Sequence, residues 1–227
     1  MNKYKKTNLC ITLTALIAFL LWTLAVTKFD LQAIGPQKSI VGFASLNGAF
    51  HDFTGVHMWL YEVTDWLGLV PAVFVLGFGL LGLAQLIKRR SLFKVDSDIL
   101  ILGVFYILVM AVYILFEVFV INYRPVLIAG RLEASYPSST TLLVLCVMPT
   151  AIMQLRKRIN KPVVKNVVTV IISLFIIFMV IGRLVSGVHW MTDIVGGVLL
   201  STFLVMLYSY TENIEALKGR MEWTKKK

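Results

Sequence analysis

Apolar residues fill this chain in blocks about twenty residues long, and polar or basic residues separate one block from the next. Six such blocks, at about 8–27, 61–87, 98–121, 139–155, 164–184 and 193–210, are each close to the length of helix that crosses a bilayer core of about 30 Å. They predict an all-α, polytopic membrane protein with six transmembrane helices, forming a single domain over residues 1–227. So much of the chain is used in this way that no room is left for a soluble domain. Composition agrees: with 58% hydrophobic and 15% charged residues and a mean hydropathy of +0.82, the chain is too apolar for a soluble domain of 227 residues. Lys3, Lys5 and Lys6 precede the first block as they would in a signal peptide, but no small-x-small cleavage site follows it. The block is therefore read as a helix.

Charge sets the expected topology. With both termini in the cytoplasm, the inside segments hold Lys3, Lys5 and Lys6, then Lys88, Arg89, Arg90 and Lys94. The next holds Arg156, Lys157, Arg158, Lys161 and Lys165, and the tail Lys218, Arg220, Lys225, Lys226 and Lys227. Those are 17 of the 22 Lys and Arg residues, the asymmetry that the positive-inside rule produces. Outside remain Lys28, Lys38, Arg124, Arg131 and Arg183. The net charge of +10 is scattered over short cytoplasmic turns instead of one face, which points to anionic membrane lipids as partners and away from nucleic acid. The compact plan, without a glycosylation signature on the outer loops, suggests a bacterial plasma membrane.

Several features have plain structural readings. Cys10 and Cys146 fall inside apolar blocks and read as small core residues, with no disulfide framework. Gly77, Gly79 and Gly82 read as sites of close helix packing. Trp59, Trp66 and Trp190 read as an interfacial aromatic belt, and Glu62 and Asp65 as capping or solvated residues. The stretch from Glu212 to Lys227 reads as a solvated cytoplasmic helix or a disordered end.

The chemistry gathers on the outer side, in three places. The 28–60 stretch holds His51 and His57, and Ile40, Phe43, Ala44, Phe50 and Phe53 at near-helical spacing, interrupted by Asn47-Gly48. It is expected to lie in the interface beside a lipid tail or to form an irregular loop. The loop after the third block holds Arg124, leaving the membrane before a proline that ends the helix, and then Pro137-Ser138-Ser139-Thr140-Thr141. This hydroxyl run opens the fourth helix, and a helix N-terminus with free N–H groups attracts phosphate. The third place is the turn containing Arg183, His189 and Asp193. A carboxylate four residues after a histidine shares a helix face with it. It can hold one ring nitrogen as donor and leave the other as nucleophile or base. Arg183 supplies a planar fork suited to phosphate oxygens.

Arg124-Pro125, then Pro137-Ser138-Ser139, then Arg183-x5-His189-x3-Asp193 resemble the three signature motifs of the type 2 phosphatidic acid phosphatase family of membrane phosphatases. That family carries Lys-x6-Arg-Pro, Pro-Ser-Gly-His and Ser-Arg-x5-His-x3-Asp. The resemblance implies hydrolysis of a lipid phosphate or diphosphate without metal or other cofactor. His189 would be the nucleophile, Asp193 its orienting carboxylate, and Arg124, Arg183 and Ser138 phosphate ligands, while Ser139 and Thr140 stay phosphate-binding candidates through the hydroxyl run alone.

Four positions depart from the family pattern. Glu117 stands where the first motif has lysine, Ser139 and Thr140 replace the glycine and histidine of the second, and Gly182 replaces the serine of the third. The missing histidine is the family's acid for the leaving group, and a threonine hydroxyl is too weakly acidic for that work near neutral pH. Glu117 and Glu133 are the candidates to replace it, if burial raises their pKa. Three readings stay open: a phosphatase for an isoprenyl or glycerolipid phosphate, a non-hydrolytic binder or transporter that kept the cradle, and a metal hydrolase using His51, His57, His189 and Glu117.

Overall fold

The computed structural model describes residues 3–225, with side-chain surroundings over residues 7–214. The basic side chains at Lys3, Lys5 and Lys6, and at Lys218, Arg220, Lys225, Lys226 and Lys227, lie outside that range. Eight α-helices occur among the described residues: α1 (Lys3–Lys28), α2 (Ala44–Thr54), α3 (Met58–Leu67), α4 (Val70–Arg89), α5 (Ser97–Val118), α6 (Ser139–Arg158), α7 (Pro162–Val185) and α8 (Met191–Lys225). Six stretches are long and apolar enough to cross a membrane: Thr7–Lys28, Met58–Arg89, Ser97–Val118, Ser139–Arg158, Pro162–Val185 and Met191–Ile214.

Burial separates these helices into an inner pair and an outer ring. Half of the residues in the apolar stretches of α6 and α8 are buried, against 11–28% in the other four. The inner pair therefore tolerates polar residues, because they face protein. Leu142, Cys146 and Ala151 of α6 and Leu200, Leu204 and Tyr208 of α8 meet Phe19 and Val26 of α1 and Phe105 and Val109 of α5 in the main core. A second cluster joins Val144 and Met148 of α6 to Ile172 and Met179 of α7. The outer helices expose large apolar side chains such as Leu21, Val73, Leu80, Ile107, Val170 and Leu174, the surface a bilayer would solvate.

The second apolar block is two helices, not one. Gly68 and Leu69 separate α3 from α4, and Pro71 in the first turn of α4 has no N–H to continue the ladder. The third block ends at Val118, six residues before Arg124, so Pro125 does not terminate it. Residues 122–135 instead form an irregular hairpin, closed by Arg124 N–H to the Glu133 carbonyl (3.0 Å) and Ser135 N–H to the Asn122 carbonyl (2.9 Å). Asn47-Gly48 does not interrupt α2. The buried Asn47 amide bridges to Gly42 O (2.8 Å) and Thr192 Oγ1 (2.9 Å) and accepts from Thr192 N–H (3.2 Å), tying α2 to the start of α8. Phe43 stacks on Trp22 with ring centres 5.3 Å apart, while Ile40 and Phe53 stay exposed.

Other residues also settle differently from their sequence reading. Cys10 is exposed on α1, and only Cys146 is a core thiol. No atom would meet a Cβ at Gly77 or Gly79, whereas one at Gly82 would lie 3.0 Å from Ile99. Trp190 is buried, not interfacial, with its indole N–H on the Tyr123 carbonyl at 2.8 Å. Glu212 is no solvated tail residue: it is nearly buried and bonded to Gln154, Tyr208 and Lys157. With Arg158 on Asp98 at 3.0 Å, these contacts tie α5, α6 and α8 at the end opposite the hairpin.

That opposition is measurable. In a Cys10→Ala, Cys146→Ala background, cysteines at Ala129 (hairpin tip) and Asn160 (α6–α7 turn) should differ in intact cells. The charge pattern expects Ala129→Cys to react with a membrane-impermeant maleimide and Asn160→Cys to be protected. Equal labelling of both would contradict the fold, and the reverse pattern would invert the topology.

Candidate active site

The site is assembled where α7 turns into α8. α7 closes with Ser186 N–H on the Gly182 carbonyl, and the chain reverses at Gly187, whose φ is +69°. A Cβ at Gly187 would lie 2.0 Å from the Gly55 carbonyl oxygen, so only glycine lets this turn pack on the end of α2. His57 N–H on the Ser186 carbonyl (2.9 Å) holds the turn from the other side. His189 follows, 3% exposed, outside helical geometry because α8 begins only at Met191.

Asp193 lies in the first turn of α8 and is fully buried. Its carboxylate accepts from Trp190 N–H (2.9 Å), from the Asn122 amide (3.3 Å) and, through a very short contact, from Ser135 Oγ. It does not bond His189 directly: Nδ1 to Oδ2 is 3.9 Å. Ser135 Oγ lies between them, 3.1 Å from Nδ1. The direct histidine–carboxylate pair expected from the spacing is therefore replaced by a contact through a serine. Because His189 precedes the helix, the i, i+4 geometry that would align the two side chains is lost.

The other ring nitrogen faces two cations. His189 Nε2 is 3.4 Å from Arg124 Nη1 and 3.4 Å from Arg183 Nη2. Arg183 is fully buried, 3.4 Å from Asp65 Oδ1, with its guanidinium 4.8 Å from the centre of the Tyr61 ring. Arg124 lies 3.2 Å from Glu133 and 5.7 Å from the same ring. The Nε atoms of both arginines are buried without an aligned hydrogen-bond partner, Glu133 standing close to Arg124 but off axis. Spare, charged donors of this kind fit an anion.

A cavity of about 750 Å³ opens in front of the arginines. Arg124, Arg183, Glu117, Glu133, Ser139 and Thr140 line it, together with Tyr61, Asp65 and Gly68 at the α3–α4 break. His189 and Asp193 stand behind the guanidinium groups and do not line it. Ser138 is not brought to it either. As the N-cap of α6 it is fully buried, and its Oγ accepts from Thr141 N–H (3.5 Å) and Thr141 O–H (3.0 Å). Its backbone N–H instead holds the Asp193 carbonyl at 3.0 Å. Among the described residues no three His, Cys, Asp or Glu side chains converge as metal ligands. His57 Nε2 lies 2.9 Å from the Thr54 carbonyl, and His51 packs on Trp190.

Residues 99–215, just over half of the chain, match the family model of the PAP2 superfamily. The chain belongs to this family. In fold it is similar to the crystal structure of the first transmembrane PAP2 type phosphatidylglycerolphosphate phosphatase from Bacillus subtilis. That likeness has a TM-score of 0.62 and 19% identity, over 89% of this chain and 96% of the other. No curated protein shows significant sequence similarity. The PAP2 match covers all three motifs and leaves out α1–α4, which supply Asn47, Tyr61 and Asp65.

Four contributors to this PAP2 site were not read as site residues in the sequence: Ser135, Asn122, Asp65 and Tyr61. Ser135 and Asn122 lie in the loop that carries the first two motifs, within a hairpin that apolar periodicity does not signal. Asp65 and Tyr61 come from a helix distant in sequence.

Burial, and then the charges of Arg124 and Arg183, hold the His189 imidazole well below its ordinary value of 6.5. A histidine kept neutral on folding contributes stability that is complete above its unfolded pKa and is lost as pH falls below it. The wild type should therefore lose more unfolding temperature between pH 7 and pH 5 than His189→Gln does. Parallel losses in thermal melts would contradict a neutral, buried imidazole.

Proposed function

We propose that this PAP2 protein is a membrane phosphatase that hydrolyses an isoprenyl or glycerolipid phosphate or diphosphate on the extracytoplasmic face of a bacterial plasma membrane. The observation that carries this reading is the position of His189 Nε2 between two buried arginines that have unused donors, beside a cavity large enough for a headgroup. The cavity is bounded by α3 and α5 on its sides and by the N-terminus of α6, so a lipid tail can stay among the outer helices while its phosphate enters.

The phosphate oxygens draw the guanidinium groups off Nε2 and take their place as acceptors. The Nε2 lone pair then attacks phosphorus, an N–P bond forms, and the P–O bond to the leaving group breaks with its electron pair on oxygen. Arg124, Arg183 and the first N–H groups of α6 hold the charge that develops on the phosphoryl oxygens. Water attacks the phosphohistidine, releasing inorganic phosphate and restoring the imidazole. Nothing in this sequence needs a metal or other cofactor.

The leaving oxygen needs a proton or must be stable without one. Thr140 cannot donate it; of the three acids on the cavity wall, Asp65 pairs with Arg183 and Glu133 with Arg124, and Glu117 and Glu133 are the proposed donors. A diphosphate needs this help least, which favours a lipid diphosphate over an alkyl monophosphate. A glycerolipid phosphate keeps its place because the structural neighbour is named for one. The 3% exposure of His189 and the lost acid together favour a second reading, in which the cradle binds or moves a lipid phosphate without cleaving it.

Phosphate release from matched lipid diphosphates and alkyl monophosphates decides between the two. The phosphatase reading expects faster release from the diphosphate, insensitivity to EDTA, and loss of all release in His189→Ala. Thr140→His with Glu117→Lys should raise the alkyl rate, by up to about 10²–10⁴-fold if the general acid is fully restored. Binding without release before and after that restoration would establish the second reading.

A further inference from the structure

We propose that Ser135 is the positioning residue that fixes the tautomer of His189, relaying the Asp193 carboxylate to a ring nitrogen it does not itself reach. The hydrogen-bonding chemistry of the site allows one consistent assignment. Arginine has donors and no acceptor, so with Arg124 Nη1 and Arg183 Nη2 both facing Nε2 at 3.4 Å, that nitrogen is the acceptor and carries no proton. The proton of the neutral ring is then on Nδ1. Nδ1 stands 3.9 Å from Asp193 Oδ2, too far for a hydrogen bond, and 3.1 Å from Ser135 Oγ. Ser135 Oγ accepts from Nδ1–H and gives its own proton to Asp193. Each partner has one complementary role, and no other assignment satisfies both ends.

The backbone holds this hydroxyl in place. Ser135 is 2% exposed, and its N–H is fixed on the Asn122 carbonyl at 2.9 Å. Three residues on, Ser138 N–H is fixed on the carbonyl of Asp193 itself at 3.0 Å. The Asn122 side chain holds Oδ1 and Trp190 N–H holds Oδ2 of the Asp193 carboxylate, so it cannot turn toward His189 without giving up a partner. Removing the Ser135 hydroxyl leaves Nδ1–H without an acceptor and the carboxylate short of a donor, both buried. The ring is then free to flip or to move its proton to Nε2, where the attacking lone pair is required.

This inference rests on the phosphatase reading for its kinetic arm only. The test has a second arm that needs no turnover. The chain has three histidines, so ¹⁵N-histidine labelling of the protein in nanodiscs gives three resolvable side chains, and His189→Gln assigns the one at issue. In the wild type near pH 7.5, His189 should show Nδ1–H and an unprotonated Nε2. Ser135→Ala should mix or invert the tautomers, and Ser135→Thr, which keeps the hydroxyl, should restore the wild-type pattern. In the kinetic arm Ser135→Ala should lower kcat by about 10–100-fold, the scale seen when an orienting partner behind a metal-bound histidine is removed. KM and inhibition by inorganic phosphate should stay within about twofold, because the arginines are untouched. Added to Asp193→Asn, the same change should cost little more, since both act through one nitrogen.

An Nε2–H tautomer in the wild type would overturn the proposal, as would a His189 signal indifferent to Ser135→Ala. Independent, multiplicative losses in the double variant would reduce Ser135 to a structural role. Absence of turnover in every variant would overturn the phosphatase reading while leaving the tautomer result standing.

Discussion

Two permanent positive charges converge on one uncharged ring nitrogen inside the bundle, and much of the surrounding structure serves to hold them there. Buried guanidinium groups need counter-charges, and Asp65 and Glu133 supply them from the cavity side. Those carboxylates are 56% and 40% exposed, so water screens the carboxylate end of each pair. A doubly charged phosphate can displace them. Tyr61 lies against both guanidinium groups, its ring centre 5.7 Å from the Arg124 group and 4.8 Å from the Arg183 group.

The packing of the site follows from that demand. The turn between α7 and α8 must deliver His189 and Asp193 to fixed points, and it is clamped at several places by contacts distant in sequence. Asn47 grips Thr192, His57 grips Ser186, Gly187 packs on Gly55, and Trp190 reaches the Tyr123 carbonyl. Most of these clamps come from the segment between α1 and α3, which the PAP2 match does not include. Holding His189 on a clamped turn, with the two arginines on a hairpin and a helix end, makes their arrangement a property of the whole bundle.

The sequence made some of this legible and hid the rest for physical reasons. Six apolar blocks marked the membrane helices because hydrocarbon imposes length and composition on each one independently. The spacing of Arg183, His189 and Asp193 was visible because they are neighbours in the chain, and so were Arg124 and Thr140 through their motifs. The relay through Ser135 was not, since its partners lie 54 and 58 residues away and their meeting depends on a hairpin with no periodic signal. Asn47 looked like a helix breaker beside Gly48, because propensity cannot register the buried amide bonds that override it. The hydroxyl run left Ser138 between a helix cap and a phosphate ligand, and Trp190 was misplaced in an interfacial belt, for a related reason. A cap and a belt residue are distinguished by what they touch, and pattern alone gives no contacts.

In the proposed phosphatase, His189 Nε2 and the two arginines form one phosphate site. Orthovanadate adopts the five-coordinate geometry of a phosphoryl group in transfer and reports such a site directly. A structure of the protein with vanadate should place vanadium at bonding distance from His189 Nε2, with its equatorial oxygens on Arg124 and Arg183 and the leaving-group position open to the cavity. Vanadate held elsewhere in the cavity, with Nε2 still capped by both guanidinium groups, would contradict the account.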